Sequence, residues 1–478
     1  MGSNSVRLVV FDGIARSPAY FYNEKVLCGL GAQLGETGRL SPEGRERALA
    51  ALHRFAALAR RMDLSGMIGV ATAAVREAED GPAFCDRIER ETGLQLQVVS
   101  GREEARLAAK GVLLGWPGAE GMVCDMGGSS MELARLGEGG IGESASAPLG
   151  PLALVGLSDE DKRARTIRKR VKALSGAVEG PLGRLFLVGG SWRAIARLDM
   201  ERRNYPLKVL HGYEPPIPEL IETLGWIRQQ DLNELSARTG TSMARLSLVP
   251  LATEVLAELL RRLAPERVLI SGYGLREGLL YRQMPERVRM LDPLIEACRH
   301  MEAASARQPG FGEVLFDWLA PLYGAHPEPE QRLVRAACLL HDVNWRAHPD
   351  YRAELCFESV TRANVSGIDH ADRVFLGLAL LSRYKASAPE PILRQYEGLL
   401  PPERVTEAAV LGRAMRLGAM LSGSSLGVLD HARLLVGETG LDLELRGPGR
   451  DFAGDSVRRR VESLASRLGR SGAVILRD

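Results

Sequence analysis

Gly121-Met-Val-Cys-Asp125-Met-Gly127-Gly128-Ser129-Ser130-Met-Glu132-Leu133 reads as a buried strand, a tight turn and a returning strand. The first strand delivers Asp125 to the edge of a site, Gly127 to Ser130 form the turn, and Glu132 lies on the return. Adjacent glycines let backbone N–H groups approach a ligand with no Cβ in the way. Successive N–H groups in such a turn make an anion-binding concavity, and the two hydroxyls add donors. Two carboxylates beside a phosphate cradle suggest a hard cation such as Mg²⁺ bridging protein and substrate oxygens. An ordinary β-hairpin turn uses the same residue types, so the stretch alone leaves both readings open.

An internal echo favours the phosphate reading. The chain opens Gly2-Ser3-Asn4-Ser5-Val6-Arg7-Leu8-Val9, and Gly127 onward runs Gly-Gly-Ser-Ser-Met-Glu-Leu-Ala. In both copies small polar turn residues lead into an alternating strand. Internal repetition predicts two related lobes whose turns face one cleft. Asp125 stands two residues before Gly127, so its counterpart would stand two residues before Gly2, ahead of Met1. The first strand of lobe one is therefore expected to begin upstream.

A chain of 478 residues is long enough for two or three domains with sizeable cores. A net charge of +2 argues against a bulk nucleic-acid binder, so a polyanionic ligand has to be met by local basic patches. Aromatic content of 5% argues against a base-stacking single-strand binder. The six cysteines (Cys28, Cys85, Cys124, Cys298, Cys338, Cys356) are scattered with no CxxC pair, which predicts buried free thiols in a reducing compartment. With no signal peptide and no apolar run of membrane-spanning length, the expectation is a cytoplasmic protein with neither nucleic acid nor membrane as partner.

In chain order, Val6 to Asp12 and Tyr20 to Leu30 suit meander strands. Ser41-Pro42 starts a helix to about Arg61 whose inner face is Leu49, Leu52, Phe55, Ala56 and Leu58. Met67 to Ala71 is a strand, Phe84 to Thr92 a helix, Leu94 to Val99 a strand, and Ser100 caps a helix to about Leu114. Strand–helix alternation of this kind indicates an α/β lobe. Within Ser100-Gly101-Arg102-Glu103 a capping box assigns Glu103 to the helix start. Glu104, about 100° further round, is then free to face the cleft. The second lobe holds a strand–Gly turn–helix at Leu185 to Arg193, opening at Ser191, and another at Arg267 to Gly278. Either turn could present helix N–H groups to an anion or be a plain βα turn. The basic run from Asp161 to Lys172 is a solvated helix face or a track for a phosphate chain.

From Leu291 to about Leu421 the pattern is helical, with polar breaks at Gln308 to Gly310, Ala325 to Pro329 and Ala386 to Pro391. Leu434 to Leu445 fits a hairpin, and Asp455 to Leu468 a basic helix ending at Gly469. Leu340-His341-Asp342 resembles the His-Asp pair of metal-dependent phosphohydrolases of the HD type, with His326, His348 and His370 as further ligands in principle. A lone His-Asp pair on an apolar helix also occurs as a satisfied core pair.

Five motifs in order carry a family resemblance. They are Gly2-Ser-Asn-Ser5, Ala71-Thr-Ala-Ala-Val-Arg76-Glu77-Ala78, Ser100-Gly-Arg-Glu-Glu104-Ala-Arg-Leu, Asp125-Met-Gly-Gly-Ser-Ser130 and Ser271-Gly-Tyr-Gly-Leu-Arg-Glu-Gly278. With them the chain resembles the exopolyphosphatase and guanosine pentaphosphate phosphohydrolase family over residues 2–281, and more loosely beyond. The resemblance implies a duplicated actin-like (ribonuclease H-like) α/β fold. Its lobes would be residues 1–115 and 116–286, followed by an all-α HD-like domain over residues 287–478. It also implies release of terminal orthophosphate from inorganic polyphosphate or guanosine pentaphosphate by water, with Mg²⁺. Glu104 matches the family's catalytic glutamate and Arg76 its phosphate-contacting arginine. Ser3, Asn4, Ser5, Gly127, Gly128, Ser129 and Ser130 would bind phosphate; Asp125 and Glu132 would hold the metal or its waters. Ser129 stands where the family has a third glycine and Met131 where it has threonine, changes that could shift the cradle slightly. A homodimer is one assembly the resemblance permits. An actin-like phosphotransferase and a non-catalytic sensor of polyphosphate or a guanine alarmone are the other readings.

Overall fold

Val6, Leu8 and Val10 are buried and their neighbours are not, so Ser5–Phe11 is a strand with one dry face, β1. It pairs antiparallel with β2 (Tyr20–Leu27). Helix α1 (Pro42–Arg61) starts at Ser41, whose hydroxyl accepts the Gly44 N–H at 3.2 Å. Its Leu49, Leu52 and Phe55 join the β1 face and Phe84 and Ile88 of α3 (Gly81–Thr92) in one core. Between these elements lie β3 (Gly69–Ala71) and the short helix α2 (Ala73–Glu77); β4 (Leu96–Val98) pairs parallel with β3. Helix α4 (Gly101–Gly115) closes the lobe.

The stretch that opened the sequence reading forms β5 (Gly121–Met126) and β6 (Met131–Gly137), joined through Gly127–Ser130. With β7 (Gly140–Ala147), β8 (Arg184–Gly189) and β9 (Arg267–Ile270) they make a five-stranded sheet in the order β7-β6-β5-β8-β9. Met122, Cys124 and Met126 face a core shared with α5 (Glu160–Gly176), α6 (Gly190–Arg202) and α7 (Val249–Leu263). Val123, on the opposite face, packs against Ala105, Ala108 and Val112 of α4. Strand alternation puts Asp125 on the same face as Val123. Glu132 stands directly opposite Asp125 in the β5–β6 ladder, so both acids project toward α4.

The expected duplication is visible in backbone detail. Gly127 N–H donates to Ser130 O at 3.0 Å, and Gly2 N–H to Ser5 O at 2.9 Å, so both copies make the same turn. Strands β1 and β2 correspond to β6 and β7, and β3 and β4 to β8 and β9. In the second lobe β5 joins the two pairs, whereas in the first they are separate two-stranded sheets. At the equivalent place stands Met1, whose carbonyl accepts the Thr72 N–H at 3.0 Å and whose amino group donates to Val70 O at 2.5 Å.

Helix α8 (Leu275–Gln283) crosses α4 at very close range. A Cβ on Gly278 would lie 1.7 Å from Leu107 O, and one on Gly111 2.3 Å from Gly274 O. Glycine is required at this crossing because the backbones themselves are in contact.

Residues 1–178, 182–385 and 387–478 are described by the computed structural model, as two units, Met1–Met290 and Leu291–Asp478. The second unit is built on helices Glu328–Leu340, Arg352–Arg362, His370–Tyr384 and Pro402–Ser422. His370–Tyr384 is buried along Arg373 to Arg383, as a helix that is apolar nearly all round must be. The expected hairpin is present as β10 (Ala432–Val436) and β11 (Gly440–Arg446). A third strand, β12 (Ser471–Arg477), pairs parallel with β11 after the crossover helix Asp455–Arg467. The unit is thus helical with a three-stranded sheet rather than all-α. Ala386, first residue of one expected polar break, lies outside the described residues. All six cysteines are free thiols, and among the described residues no helix is long and apolar enough to cross a membrane.

The crossing yields a stability prediction. Gly278→Ala should lower the unfolding free energy in urea by about 1–3 kcal/mol or more, the cost of overpacking. Gly225→Ala lies on a helix where a Cβ meets nothing within 4 Å, and it should stabilise by about 0.5–1 kcal/mol. Equal effects of the two changes would show that the α4–α8 contact is not tight.

Candidate active site

The two turns meet. The Ser3 and Ser129 hydroxyls are 2.5 Å apart, and a Cβ on Gly128 would sit 3.2 Å from Ser3 Cβ. The carbonyls of the second turn are already used, Gly128 O by the Leu152 N–H at 2.8 Å and Ser129 O by the Gly150 N–H at 3.1 Å. Among the described residues the N–H groups of Ser3, Asn4, Gly128 and Ser129 donate to no backbone carbonyl. Each turn therefore offers N–H donors that the backbone leaves unused, the groups an anion requires.

Helix α4 aims its first turn at these loops. Ser100 caps it by accepting the Glu103 N–H at 3.2 Å. The Glu103 carboxylate does not close the box; it pairs with Arg282 of α8 at 3.3 Å. Glu104 is separated from it as expected, only 7% exposed, with Oε2 3.4 Å from Arg76 Nη1. Arg76, from α2, is itself held by Val99 O at 2.9 Å and by Glu77 at 3.3 Å. Burial raises the Glu104 carboxyl above the usual range, and the Arg76 charge only partly offsets it.

Asp125 and Glu132 share that environment. Burial, then the charge of Glu104, pushes Asp125 up to about 7. Glu132 is raised well above the ordinary value by burial, then by Glu104 and Asp125. One Glu132 oxygen accepts from Ser146 at 2.8 Å, while among the described residues the other has no hydrogen-bond partner, though the Ser130 hydroxyl acts on the carboxylate. Three acids thus face one another with one arginine in direct contact. Among the described residues no group of three or more His, Cys, Asp or Glu is placed to hold a metal ion. Asp125 and Glu132 form a pair, the number used by a cation that takes its remaining ligands from water and phosphate. The orphaned Glu132 oxygen and the uncompensated Asp125 carboxyl fit such a cation.

A basic wall escaped the sequence reading. Arg193 of α6 and Arg276 of α8 act on Asp125 with favourable charge. Burial, then Arg276, lowers Arg193, while burial and the charges of Arg276 and Arg193 push Arg7 down to about 10. Lys25 is lowered by burial and then by Arg245 and Arg7. These cations come from β1, β2, α6, α8 and the segment Met243–Leu246, so no local spacing announces them. Arg7, Arg193 and Arg276 each lay within a stretch quoted above, but those stretches were read for their turn residues rather than for the arginines. In the basic run from Asp161 to Lys172, read as a helix face or a track, two arginines are committed to the protein's own groups. Arg163 is bound bidentately to Glu254 at 2.9 Å and Arg170 donates to Pro148 O at 2.5 Å.

Asp342 is satisfied internally, whereas His341 Nε2 is buried with no hydrogen-bond partner among the described residues. Arg307 binds both Asp342 oxygens, at 2.7 and 2.8 Å, and Arg383 lies at 3.6 Å. His341 Nδ1 bonds Cys338 O at 2.8 Å, and burial lowers the ring to about 3, leaving it neutral. His326 and His348 are engaged by Glu330 and Asp350.

The site's electrostatics predict a pH signature. Asp125 keeps its proton to about pH 7 when folded but loses it near 3.8 when unfolded. Its contribution to stability is therefore full below about pH 4 and lost as pH rises to about 7. Asp125→Asn should gain stability relative to the parent protein progressively across that window in pH-dependent urea melts. A stability difference independent of pH would count against an uncompensated Asp125.

Residues 9–287 match the Ppx/GppA phosphatase family, and residues 294–475 match a family described as exopolyphosphatase, C-terminal. The chain is 26% identical over 304 residues to exopolyphosphatase 1 of Mycobacterium tuberculosis, covering 59% of this chain and 86% of that protein. It is 25% identical over 448 residues to the guanosine-5'-triphosphate,3'-diphosphate pyrophosphatase of Aeromonas hydrophila, covering 88% and 85%. Among solved structures, the Aquifex aeolicus PPX-GPPA enzyme aligns with TM-score 0.51 and 25% identity over 59% of this chain and 97% of that one. An exopolyphosphatase from Cytophaga hutchinsonii aligns with TM-score 0.53 and 22% identity over 59% and 95%, a likeness of fold.

Proposed function

Since the chain belongs to the Ppx/GppA phosphatase family, with its duplicated actin-like fold, we propose that it hydrolyses phosphoanhydrides by releasing terminal orthophosphate from inorganic polyphosphate. The observation that carries this reading is Glu104, a buried and raised carboxyl at the first turn of α4, beside two turns whose N–H groups the backbone leaves unused. The turn N–H groups and the Ser129 and Ser130 hydroxyls bind the terminal phosphoryl oxygens, and Arg76 adds positive charge. Glu104 accepts a proton from the attacking water as its oxygen bonds to the terminal phosphorus. The bond to the bridging oxygen breaks and the shortened chain leaves. Such a reaction depends on positioning and charge neutralisation more than on covalent help. Mg²⁺ held by Asp125 and Glu132 would supply charge neutralisation at the phosphoryl oxygens. The basic wall of Arg7, Lys25, Arg193 and Arg276 binds the phosphates beyond the terminal one.

Guanosine pentaphosphate is a second substrate, because the Aeromonas pyrophosphatase aligns over nearly the whole chain. Its 5'-terminal phosphate presents the same phosphoanhydride to the same groups. Buried thiols fit a reducing location, and we place the protein in the cytoplasm.

Incubation with Mg²⁺ and long-chain polyphosphate, followed by orthophosphate release, tests the proposal against a non-catalytic sensor, which would bind and release nothing. Transfer of labelled phosphate to an acceptor other than water would mark a phosphotransferase. Glu104→Gln should retain phosphate binding and lower turnover by at least about 10²-fold. Because a raised carboxyl must ionise to accept a proton, the acid limb of the rate profile should disappear with it. Glu103→Gln loses only the partly exposed pair with Arg282 and should leave turnover within about threefold. The reverse order of effects would reassign the base.

The basic wall predicts a salt effect. Affinity for long-chain polyphosphate should fall with ionic strength more steeply than affinity for tripolyphosphate. Arg245→Gln should reduce the long-chain log–log slope by about 0.7, the value for one contact to a single-stranded polyanion. Parallel slopes for both substrates would remove the wall from chain binding.

A further inference from the structure

The Leu291–Asp478 unit contains a cavity of about 350 Å³, away from the His341-Asp342 pair. Its walls come from helices Ala320–Tyr323, Glu328–Leu340, His370–Tyr384 and Pro402–Ser422, and from the end of Asp455–Arg467. Val334, Phe375, Val410 and Leu468 make most of the lining apolar. This is the size and character of a pocket for a small organic molecule, in which a few polar groups fix orientation.

The charges at its mouth indicate which molecule. Both acids are already used: Glu330 bonds His326 Nδ1 at 2.7 Å, and Glu407 accepts from Arg404 Nη1 at 2.7 Å. Arg404 is further fixed over the Phe375 ring, 4.3 Å from its centroid. Arg467 has no hydrogen bond or ion pair among the described residues, although it lines the cavity. Its charge also acts on Arg413, which burial and then Arg467 lower. An apolar chamber whose lining includes a guanidinium with no hydrogen bond or ion pair among the described residues complements an apolar body carrying one negative group.

We propose that this cavity binds a small organic anion whose ring-sized apolar body packs against Phe375, Val334 and Val410 and whose anionic group pairs with Arg467. The site is independent of phosphoryl release, so failure of one reading leaves the other standing.

The test uses the full chain and naphthalene-1-sulfonate as probe, with binding read by saturation-transfer NMR and calorimetry. Arg467→Gln, at an exposed position, should weaken the probe at least about tenfold, and the neutral naphthalene-1-sulfonamide should bind the parent protein at least about tenfold more weakly than the sulfonate. Val410→Trp should fill the chamber and abolish binding; if it does not fold, the Arg467 variant and the neutral analogue decide. Absence of binding at millimolar probe, or binding indifferent to Arg467→Gln, overturns the proposal. Displacement of the probe by tripolyphosphate would assign the mouth to inorganic polyanion instead and also overturns it.

Discussion

The glycine crossing of α4 and α8 sets the geometry of the first unit. Helix packing usually separates axes by a layer of side chains, but at Gly278 and Gly111 even a methyl group would overlap the other helix's backbone. The crossing is secured at its edges. Arg282 pairs with Glu103, and Glu277 accepts from Tyr20 Oη at 2.9 Å and from the Gly274 N–H at 2.7 Å. One end of α4 therefore follows the second lobe while its first turn reaches the turns of both. Glu104 owes its place beside Asp125 and Glu132 to this contact more than to its own bonds. It has one arginine partner, at 3.4 Å.

That placement gathers three buried carboxyls whose charges the protein's own groups match only in part. Strand alternation puts Asp125 and Glu132 on the face covered by α4, and α4 brings a third acid. Burial alone favours their neutral forms, the charge of Glu104 raises Asp125 further, and Glu104 and Asp125 together raise Glu132. Arg76 offsets part of this for Glu104 but is committed also to Val99 O and Glu77. An anionic substrate would meet repulsion from this cluster unless positive charge entered with it or stood nearby. The wall of Arg7, Lys25, Arg193 and Arg276 supplies the standing charge, and a divalent cation between acids and phosphate would supply the rest. Acids and bases are thus both in excess of their mutual pairing, as transfer of a multiply charged group demands.

Local chemistry was legible in the sequence and distant pairing was not. The caps at Ser41 and Ser100, the Gly127–Ser130 turn and its echo at Gly2 are fixed by neighbours within four residues, and each forms as read. Glu103 was correctly separated from Glu104, but its partner Arg282 lies 179 residues away, so an ion pair was mistaken for a capping bond. The basic wall gathers single residues from separate elements and has no motif. Strand β12 was missed because its pairing with β11 is parallel and requires the intervening helix Asp455–Arg467 to be in place first.

Two aspartates show why residue type alone could not locate the chemistry. Asp342 follows a histidine in a motif resembling a metal site, and Asp125 precedes a plain glycine turn. Burial disfavours ionisation of both, but Asp342 is held below the ordinary range by the bonds from Arg307 and the nearby Arg383. Asp125 makes no comparable bond and is driven up to about 7. A carboxylate whose charge is matched by its own protein gains little from a cation, which would have to displace the guanidinium. One whose charge is unmatched binds a cation with that repulsion relieved. The difference lies in the arginines each fold brings within reach.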